Sequence, residues 1–303
     1  MRLTPSPAPS ANTRLIAAMP WVFVLIWSTG FIVARFGMPH SPPLSFLAWR
    51  YALSVLAFGI WVSVSGANWP QGRAQWGHLA VTGLLMQAGY LGGVWSAVKL
   101  GMGAGTIALL VGLQPVLTAL WLASRSAAGP ARSPGAARRQ WLGLGLGLLG
   151  LFLVVRHKLG AGELHAANLA LALLALAGIT VGTLYQKAHV AACDVRSAGL
   201  VQMGAAFLVT LPLALLEPEV MDWGWPLVAS MAWSVGVLTL GGSSLLYLLI
   251  QRGAATQVTS LMYLVPPCTA LMAALLFGEP LSADMLAGMV LTALGVALVV
   301  RQP

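Results

Sequence analysis

The sequence predicts an all-α polytopic membrane protein, with ten transmembrane helices arranged as two inverted five-helix repeats. The first observation behind this prediction is composition: 58% of the 303 residues are hydrophobic, only 8% are charged, and the mean hydropathy is +0.84. A soluble domain of this length carries far more charge, because its surface is solvated. The other two observations are a series of long apolar segments and a pattern that occurs once in each half of the chain.

Ten segments contain enough apolar sequence to cross a bilayer, which takes about 20 residues of helix with a tolerance of several residues. They run over 15–34, 44–64, 76–98, 103–123, 141–155, 168–187, 197–216, 227–249, 256–277 and 285–300. Residues 1–14 are rich in Pro, Ser and Ala and are predicted to be a disordered cytoplasmic N-terminus. The apolar run after them is too long for a signal peptide and is predicted to be a retained first helix.

The basic residues predict which way the chain crosses the membrane. With the N-terminus inside, eleven of the sixteen Lys and Arg residues lie on the cytoplasmic side and four on the opposite side. This excess follows the positive-inside rule, so both termini are expected in the cytoplasm. Eight of the twelve Trp residues fall near span ends, as expected of an interfacial belt. Because the cations sit in short loops between apolar runs, the net charge of +9 does not indicate a nucleic-acid partner.

The repeated pattern is centred on proline. Residues 108–120 read ALLVGLQPVLTAL and residues 259–271 read TSLMYLVPPCTAL, so that Pro115 aligns with Pro266. We infer a first repeat of helices 1–5 over 15–156 and a second repeat of helices 6–10 over 168–301, joined by a linker over 157–167. An odd number of spans places the two copies in opposite orientations, which is typical of secondary transporters.

Several motifs resemble those of a known family. These are WSTGFIVARFGMPHSPPLSFLAWRYALS at 27–54, the two P-x-x-T-A-L segments, and LFGEPLS at 276–282. They resemble the EamA family of the drug/metabolite transporter superfamily, and the resemblance covers residues 15–301. It implies a ten-helix carrier of the bacterial inner membrane, many of whose relatives export amino acids or related metabolites. The family's glycine–glutamate pair is present as Gly278-Glu279 in the second half, whereas the first half has a basic, Ala/Gly-rich loop there.

Prolines lie near the middle of the fourth and ninth spans, at Pro115, Pro266 and Pro267. Each proline removes a backbone donor and leaves the carbonyl four residues earlier without its helical partner. Within lipid, that carbonyl needs another partner or a water-lined cavity. The prolines are therefore interpreted either as hinges or kinks that open a binding cavity, or as packed kinks that neighbouring helices satisfy.

Polar and aromatic residues at helical spacing are candidates for lining a substrate cavity. A Gln side chain that faces lipid is costly, whereas one that faces a cavity can bind a solute. Ser and Thr also serve as ordinary hydrogen-bonding partners between helices, which is the favoured interpretation for them. The cavity candidates are Trp27, Ser28, Gln87, Tyr90, Gln114, Thr180, Ser244, Tyr247 and Tyr263.

Charged residues are rare within the spans. Arg50 is the one cation well inside a span and lies about 9 Å deep. It would either meet a substrate carboxylate or a helix end, or extend to the outer interface. No Asp or Glu lies within a predicted span, so facilitated or weakly coupled export is expected. Glu217, Glu219 and Glu279 stand at span ends and are expected to be solvated.

The sequence thus predicts a secondary transporter that exports small metabolites, with amino acids or their analogues as the expected substrates. The alternative is a membrane-embedded enzyme or sensor without transport activity. Gly145-x-Gly147-x-x-Gly150 matches a dinucleotide fingerprint but follows no predicted strand, and Gly143-x-x-x-Gly147 in the same run indicates close helix packing instead. We expect no catalytic residue, metal or cofactor, and the expected partners are the substrate and the lipid bilayer.

Overall fold

The structure is a computed structural model that describes residues 11–125, 134–160, 162–242, 245 and 264–300. This part of the chain is helical and contains no β-strand. Its α-helices are α1 Ala11–Gly37, α2 Pro43–Ser65, α3 Arg73–Gly83, α4 Gly92–Lys99, α5 Ala104–Val111, α6 Gln114–Arg125, α7 Pro134–Gly160, α8 Ala166–His189, α9 Val195–Ala214, α10 Trp225–Ala232, α11 Val265–Phe277 and α12 Ala283–Val300. A 3₁₀ turn, Met38–His40, follows α1. Two π-helical segments continue α-helices: π1, Leu84–Leu91, joins α3 to α4, and π2, Trp233–Gly242, follows α10.

Each of the ten predicted spans is largely helical where the structure describes it. The third span is the continuous helix α3–π1–α4, the fourth is divided into α5 and α6, and the eighth is α10–π2. Five helical stretches are long and apolar enough to cross a membrane, namely Trp21–His40, Pro43–Ser65, Ala166–His189, Val195–Ala214 and Trp225–Gly242. Shorter apolar helices account for four further spans. The predicted class, an all-α polytopic membrane protein, is confirmed.

The outer surface of the bundle is apolar. Leu56, Leu275 and Val64 are 61%, 77% and 83% exposed. A soluble protein rarely leaves so many large hydrophobic side chains in water, whereas lipid requires them on the outside. The eight Trp residues predicted near span ends are all exposed: Trp21, Trp61, Trp69, Trp76, Trp121, Trp141, Trp223 and Trp225.

Glycines allow the two halves of the chain to pack closely at the centre. A Cβ atom on Gly178 of α8 would lie 2.8 Å from the backbone nitrogen of Tyr90 in π1. A Cβ atom on Gly93 of α4 would lie 2.5 Å from the carbonyl oxygen of Leu171 in α8. Real Cβ contacts are not this short, so any larger residue at either position would push α8 away from the third span.

The pair α7 and α12 packs through glycines on both helices. A Cβ atom on Gly288 would lie 2.6 Å from the carbonyl oxygen of Gly150, and one on Gly295 would lie 2.5 Å from the carbonyl oxygen of Gly143. These backbones approach as closely as in the small-residue contacts typical of membrane helices. The interpretation of the glycine run in α7 as a helix-packing motif is therefore confirmed.

Glu217 caps the N-terminus of α2, although it lies far away in the sequence. Its Oε1 accepts a hydrogen bond from the backbone N–H of Leu44 at 3.0 Å, and its Oε2 accepts one from the N–H of Ser45 at 2.7 Å. The hydroxyl of Ser45 also donates to Oε2, at 2.8 Å. The first N–H groups of a helix lack partners within the helix, and a negative charge there is favoured by the helix dipole. The expectation that Glu217 is solvated was therefore wrong.

The N-terminus of α5 is capped in the same way by Glu279, which accepts hydrogen bonds from the N–H groups of Ala104 at 2.9 Å and Gly105 at 3.3 Å. The expectation of a solvated Glu279 was likewise wrong. A second carboxylate, Glu163, accepts from the N–H of Gly103 at 3.0 Å, just before the helix. The three carboxylates lie at the same end of the bundle as two further acidic residues. We call this the acidic end. The acidic end is defined by Glu163, Glu217, Glu219, Asp222 and Glu279.

Asp194 caps α9 at the opposite end of the bundle. Its Oδ1 accepts hydrogen bonds from the backbone N–H of Arg196 at 3.0 Å and from the Nε of the same residue at 2.9 Å. The hydrogen bonds from Arg196 hold the pKa of Asp194 below its ordinary value of 3.8. The carboxylate therefore stays ionised at neutral pH, and its capping contribution is lost only as the pH falls through that lowered pKa.

Replacing Gly288 by Leu is expected to destabilise the protein, because the side chain would collide with the backbone of α7. Overpacking of this kind costs about 1–3 kcal/mol, which should lower the midpoint of thermal unfolding in detergent by several degrees. Gly145→Leu on α7 is the matched control, because a Cβ atom there meets nothing within 4 Å. Equal melting temperatures for the two variants would contradict the packing described for α7 and α12.

Replacing Glu217 by Ala is expected to lower the free energy of unfolding by about 1–2 kcal/mol, because the N-terminus of α2 loses its cap. Glu219→Ala is the matched control: its side chain is 55% exposed and forms an ion pair with Lys99. Exposed ion pairs contribute about 0–1 kcal/mol, so this variant should unfold close to wild type. Thermal unfolding monitored by circular dichroism compares the two, and a larger loss in Glu219→Ala would refute the capping role.

Candidate functional site

A cavity lies at the centre of the bundle, in two adjoining compartments that share four lining residues, Trp27, Phe31, Tyr90 and Ile179. The compartments contain about 680 and 720 Å³ of space not filled by atoms, counting their openings. A water molecule takes about 30 Å³ of liquid volume, so the cavity has room for a small solute. Helices of both halves form its walls. We call the two parts the proline compartment and the arginine compartment.

The proline compartment lies where the fourth and ninth spans meet, lined among others by Gly112, Gln114, Pro115, Pro266 and Pro267. The fourth span is interrupted at residues 112–113, and Pro115 then occupies the first turn of α6, where its missing N–H costs nothing. Pro266 and Pro267 fall in the first turn of α11. A Cβ atom on Gly112 would lie 2.9 Å from Cγ of Pro266, so the interruption packs directly against α11.

Gln114 links the proline compartment to the second half of the chain. Its side-chain amide nitrogen donates a hydrogen bond to the hydroxyl of Thr183 in α8, at 3.0 Å. The hydroxyl of Thr183 in turn donates to the carbonyl oxygen of Ile179, at 2.6 Å. Gln114 is thus both a cavity residue and an interhelical hydrogen-bonding residue, two roles that its sequence pattern could not separate.

The arginine compartment contains the buried guanidinium of Arg50, which is only 6% exposed. Its Nη2 donates to the hydroxyl of Thr239 in π2, at 3.3 Å, and that hydroxyl donates to the carbonyl oxygen of Ser234, at 2.9 Å. Within the described part of the chain, Nε of Arg50 has no hydrogen-bond partner. Extension of this side chain to the outer interface is therefore excluded, and Arg50 faces the cavity.

The segment π1 contributes to the wall of the same compartment. Gln87, Tyr90 and Trp95 line this compartment, and the indole of Trp95 is fully buried and stacks on Phe46 with ring centroids 4.3 Å apart. The hydroxyl of Tyr51 donates to the backbone carbonyl of Gln87, at 2.7 Å. A π-helical turn shifts the backbone hydrogen-bonding register, and such turns occur often at functional sites.

The structure brings together four of the nine residues proposed from sequence, since Trp27, Gln87, Tyr90 and Gln114 line the cavity. Ser28 and Thr180 do not line it: their hydroxyls donate to the carbonyl oxygens of Val24 and Leu176 in their own helices, at 2.8 and 2.6 Å. The other three candidates, Ser244, Tyr247 and Tyr263, lie outside the described residues.

Sequence reasoning missed several lining residues, including Phe31, Trp95 and Thr239. A weak signal for Trp95 was present, because it lies eight residues, or about two helical turns, after Gln87. Thr239 had no such signal, since a single threonine in an apolar span is an ordinary hydrogen-bonding partner between helices.

Titratable residues do not cluster in the cavity. In the described ranges, no group of three or more His, Cys, Asp or Glu residues is arranged to hold a metal ion. The lining is instead mainly apolar and aromatic, with a few neutral polar groups and one guanidinium. A cavity enclosed by the two halves of an integral membrane protein is typical of membrane transporters.

The chain belongs to the EamA-like transporter family of the drug/metabolite transporter superfamily, because the family's model matches residues 16–156 and again residues 167–301. The resemblance inferred from the motifs is thereby confirmed. The chain is 24% identical over 298 residues to the "Uncharacterized transporter YvbV" of Bacillus subtilis, covering 96% of this chain and 92% of the relative. It is 24% identical over 282 residues to the "Probable amino-acid metabolite efflux pump" of Salmonella typhimurium, covering 90% of each chain.

A crystal structure of a protein that is 20% identical in sequence has the same fold, with a TM-score of 0.60. The similarity covers 94% of this chain and 97% of the other. The arrangement of the helices described above is therefore shared with an experimentally determined structure.

Proposed function

We propose that this protein is a secondary transporter that exports small metabolites across the bacterial inner membrane by alternating access, with amino acids or their analogues as substrates. The observation that carries the proposal is the central cavity, whose walls come from both halves of the chain. A site at the interface of two halves can be exposed to either side of the membrane in turn when one half moves against the other.

Features that recur in the two halves support this mechanism. At the offset that aligns Pro115 with Pro266, π1 falls within π2, so the third helix of each half carries a π-helical segment at the equivalent place. The family's model also matches each half separately. We infer that the two repeats, 15–156 and 168–301, are related by inversion and that the proline compartment lies where their fourth helices meet.

Two observations support amino acids or analogues as the substrate class. The name of the Salmonella typhimurium relative specifies an amino-acid metabolite efflux pump. The cavity also combines apolar and aromatic walls with a few polar groups, as sites for small amphipathic molecules do. None of the lining residues in the described part of the chain is an acid, which favours facilitated or weakly coupled export over a carboxylate proton relay.

Export is tested by loading cells that express the protein with radiolabelled amino acids, supplied as dipeptides, and measuring their release. Wild type is expected to accelerate release of at least one amino acid, and Gly30→Phe is expected to abolish the acceleration by filling the arginine compartment. Gly59→Phe is the matched control, because a Cβ atom there meets nothing within 4 Å. The proposal is refuted if no amino acid is released faster than from cells without the protein.

Orientation is tested by cysteine labelling in whole cells, with Cys193 and Cys268 first replaced by Ser. We propose that the acidic end faces outward, so a cysteine at the exposed position Val220 should react with an impermeant maleimide. A cysteine at Trp69, which is half exposed at the opposite end, should react only after the cells are opened. The reverse pattern of labelling would overturn the proposed topology.

A further inference from the structure

We propose that Arg50 binds the carboxylate of the transported solute, so that the substrates are small carboxylate-bearing metabolites with an apolar body. This inference rests on the proposed transport function and deepens it. It also decides between the two interpretations that the sequence left open for Arg50, namely contact with a substrate carboxylate or a helix end, and extension to the outer interface.

The first argument is the lack of a counter-ion. A guanidinium remains protonated in proteins, and placing it within a membrane-spanning helix costs several kcal/mol unless it is paired. All seven acidic residues belong to the described part of the chain, and none forms an ion pair with Arg50. They lie at helix ends or between helices. The charge of Arg50 is therefore left for an anion that enters the cavity.

The second argument is the hydrogen bonding of the guanidinium. Its one hydrogen bond within the described residues is the long contact of Nη2 with the neutral hydroxyl of Thr239, at 3.3 Å, and Nε is buried without a partner. A buried donor without a partner carries a desolvation penalty of about 1–3 kcal/mol, and more for a charged group. An arginine that served only to hold helices together would be expected to use its donors on protein acceptors.

The third argument is shape. The planar guanidinium presents parallel N–H donors that match the two oxygens of a carboxylate. Thr239 restrains Nη2 and is therefore a positioning residue, because its own hydroxyl is fixed by the carbonyl of Ser234. Trp95, Phe31 and Leu238 form an apolar wall in the same compartment, where the body of a small metabolite would pack.

This arrangement selects between otherwise similar molecules. A carboxylate relieves the buried charge, whereas the corresponding amide offers only a neutral oxygen, and an amine without a carboxylate is repelled by the guanidinium. Charge-assisted hydrogen bonds contribute about 1.5–3 kcal/mol, which corresponds to a preference for the acid over the amide of about ten- to a hundredfold.

The test is binding to the purified protein in detergent, measured as ligand-induced thermal stabilisation. The probes are L-leucine, L-methionine and L-phenylalanine, each compared with its amide. Wild type is expected to bind at least one acid at least about tenfold more tightly than its amide. Arg50→Met should lose this preference, and Arg50→Lys, which keeps the charge without the planar fork, should retain only part of it. Arg35→Met is the matched control, because this arginine is 38% exposed beside Glu279 at the acidic end, and it should keep the preference.

The melting temperature of Arg50→Met without ligand shows whether Arg50 serves to bind the solute or to hold the helices together. Removing an unpaired buried charge should leave the melting temperature of Arg50→Met unchanged or raise it. A lowered melting temperature together with an unchanged preference for acids would overturn the proposal, as would equal binding of acids and amides, or of neither, by wild type. If the acids bind through Arg50 but no release from cells is measured, the assignment of Arg50 stands and the transport function fails.

Discussion

Lipid offers no hydrogen-bond partner, so every amide and carbonyl of the spanning segments must be satisfied within the protein. In the described part of the chain, side chains supply such partners at places where the helices are irregular. The hydroxyl of Tyr51 donates to the carbonyl of Gln87 in π1, and that of Thr239 donates to the carbonyl of Ser234 in π2. The interruption at residues 112–113 is packed against Pro266. Irregular backbone and cavity therefore coincide, because non-helical backbone is tolerated at membrane depth only inside the protein.

The same constraint acts at the acidic end, where it couples the two halves. Glu217 and Glu279 belong to the second half of the chain, yet they cap the N-termini of α2 and α5 in the first half. Any movement that separates the halves at this end has to exchange these charge-assisted hydrogen bonds for bonds to water. Water can take the place of a carboxylate as a hydrogen-bond partner at the surface but not within the lipid-embedded interior. Hydrogen bonds of this kind therefore suit an end of the bundle that opens.

The spans and the class of the fold could be predicted because they depend on length and hydropathy, which are local properties. The carboxylate caps of the helix N-termini could not be predicted. Glu217, for example, lies 173 residues from the amide of Leu44, and nothing near either residue signals the contact. A small part of the cavity wall was visible as polar and aromatic residues at α-helical spacing, such as Gln87 and Tyr90. Thr239 was not, because a single threonine in an apolar span is an ordinary hydrogen-bonding partner between helices. Whether the Arg50 side chain faces the cavity or the outer interface depends on how the helices pack. Its position along the second span does not determine this.

The absence of acids from the lining that the structure describes has a consequence for Arg50. An aspartate beside this guanidinium would form an internal ion pair with it. Such a pair would neutralise the charge and remove its attraction for a solute carboxylate. Within the described part of the chain, the guanidinium donates only to the neutral hydroxyl of Thr239, so the protein does not offset the cost of burying its charge. A solute carboxylate is then bound largely because it offsets that cost. On our proposal, selectivity for carboxylates thus arises as much from the lack of an acidic partner for Arg50 in the described lining as from the guanidinium itself.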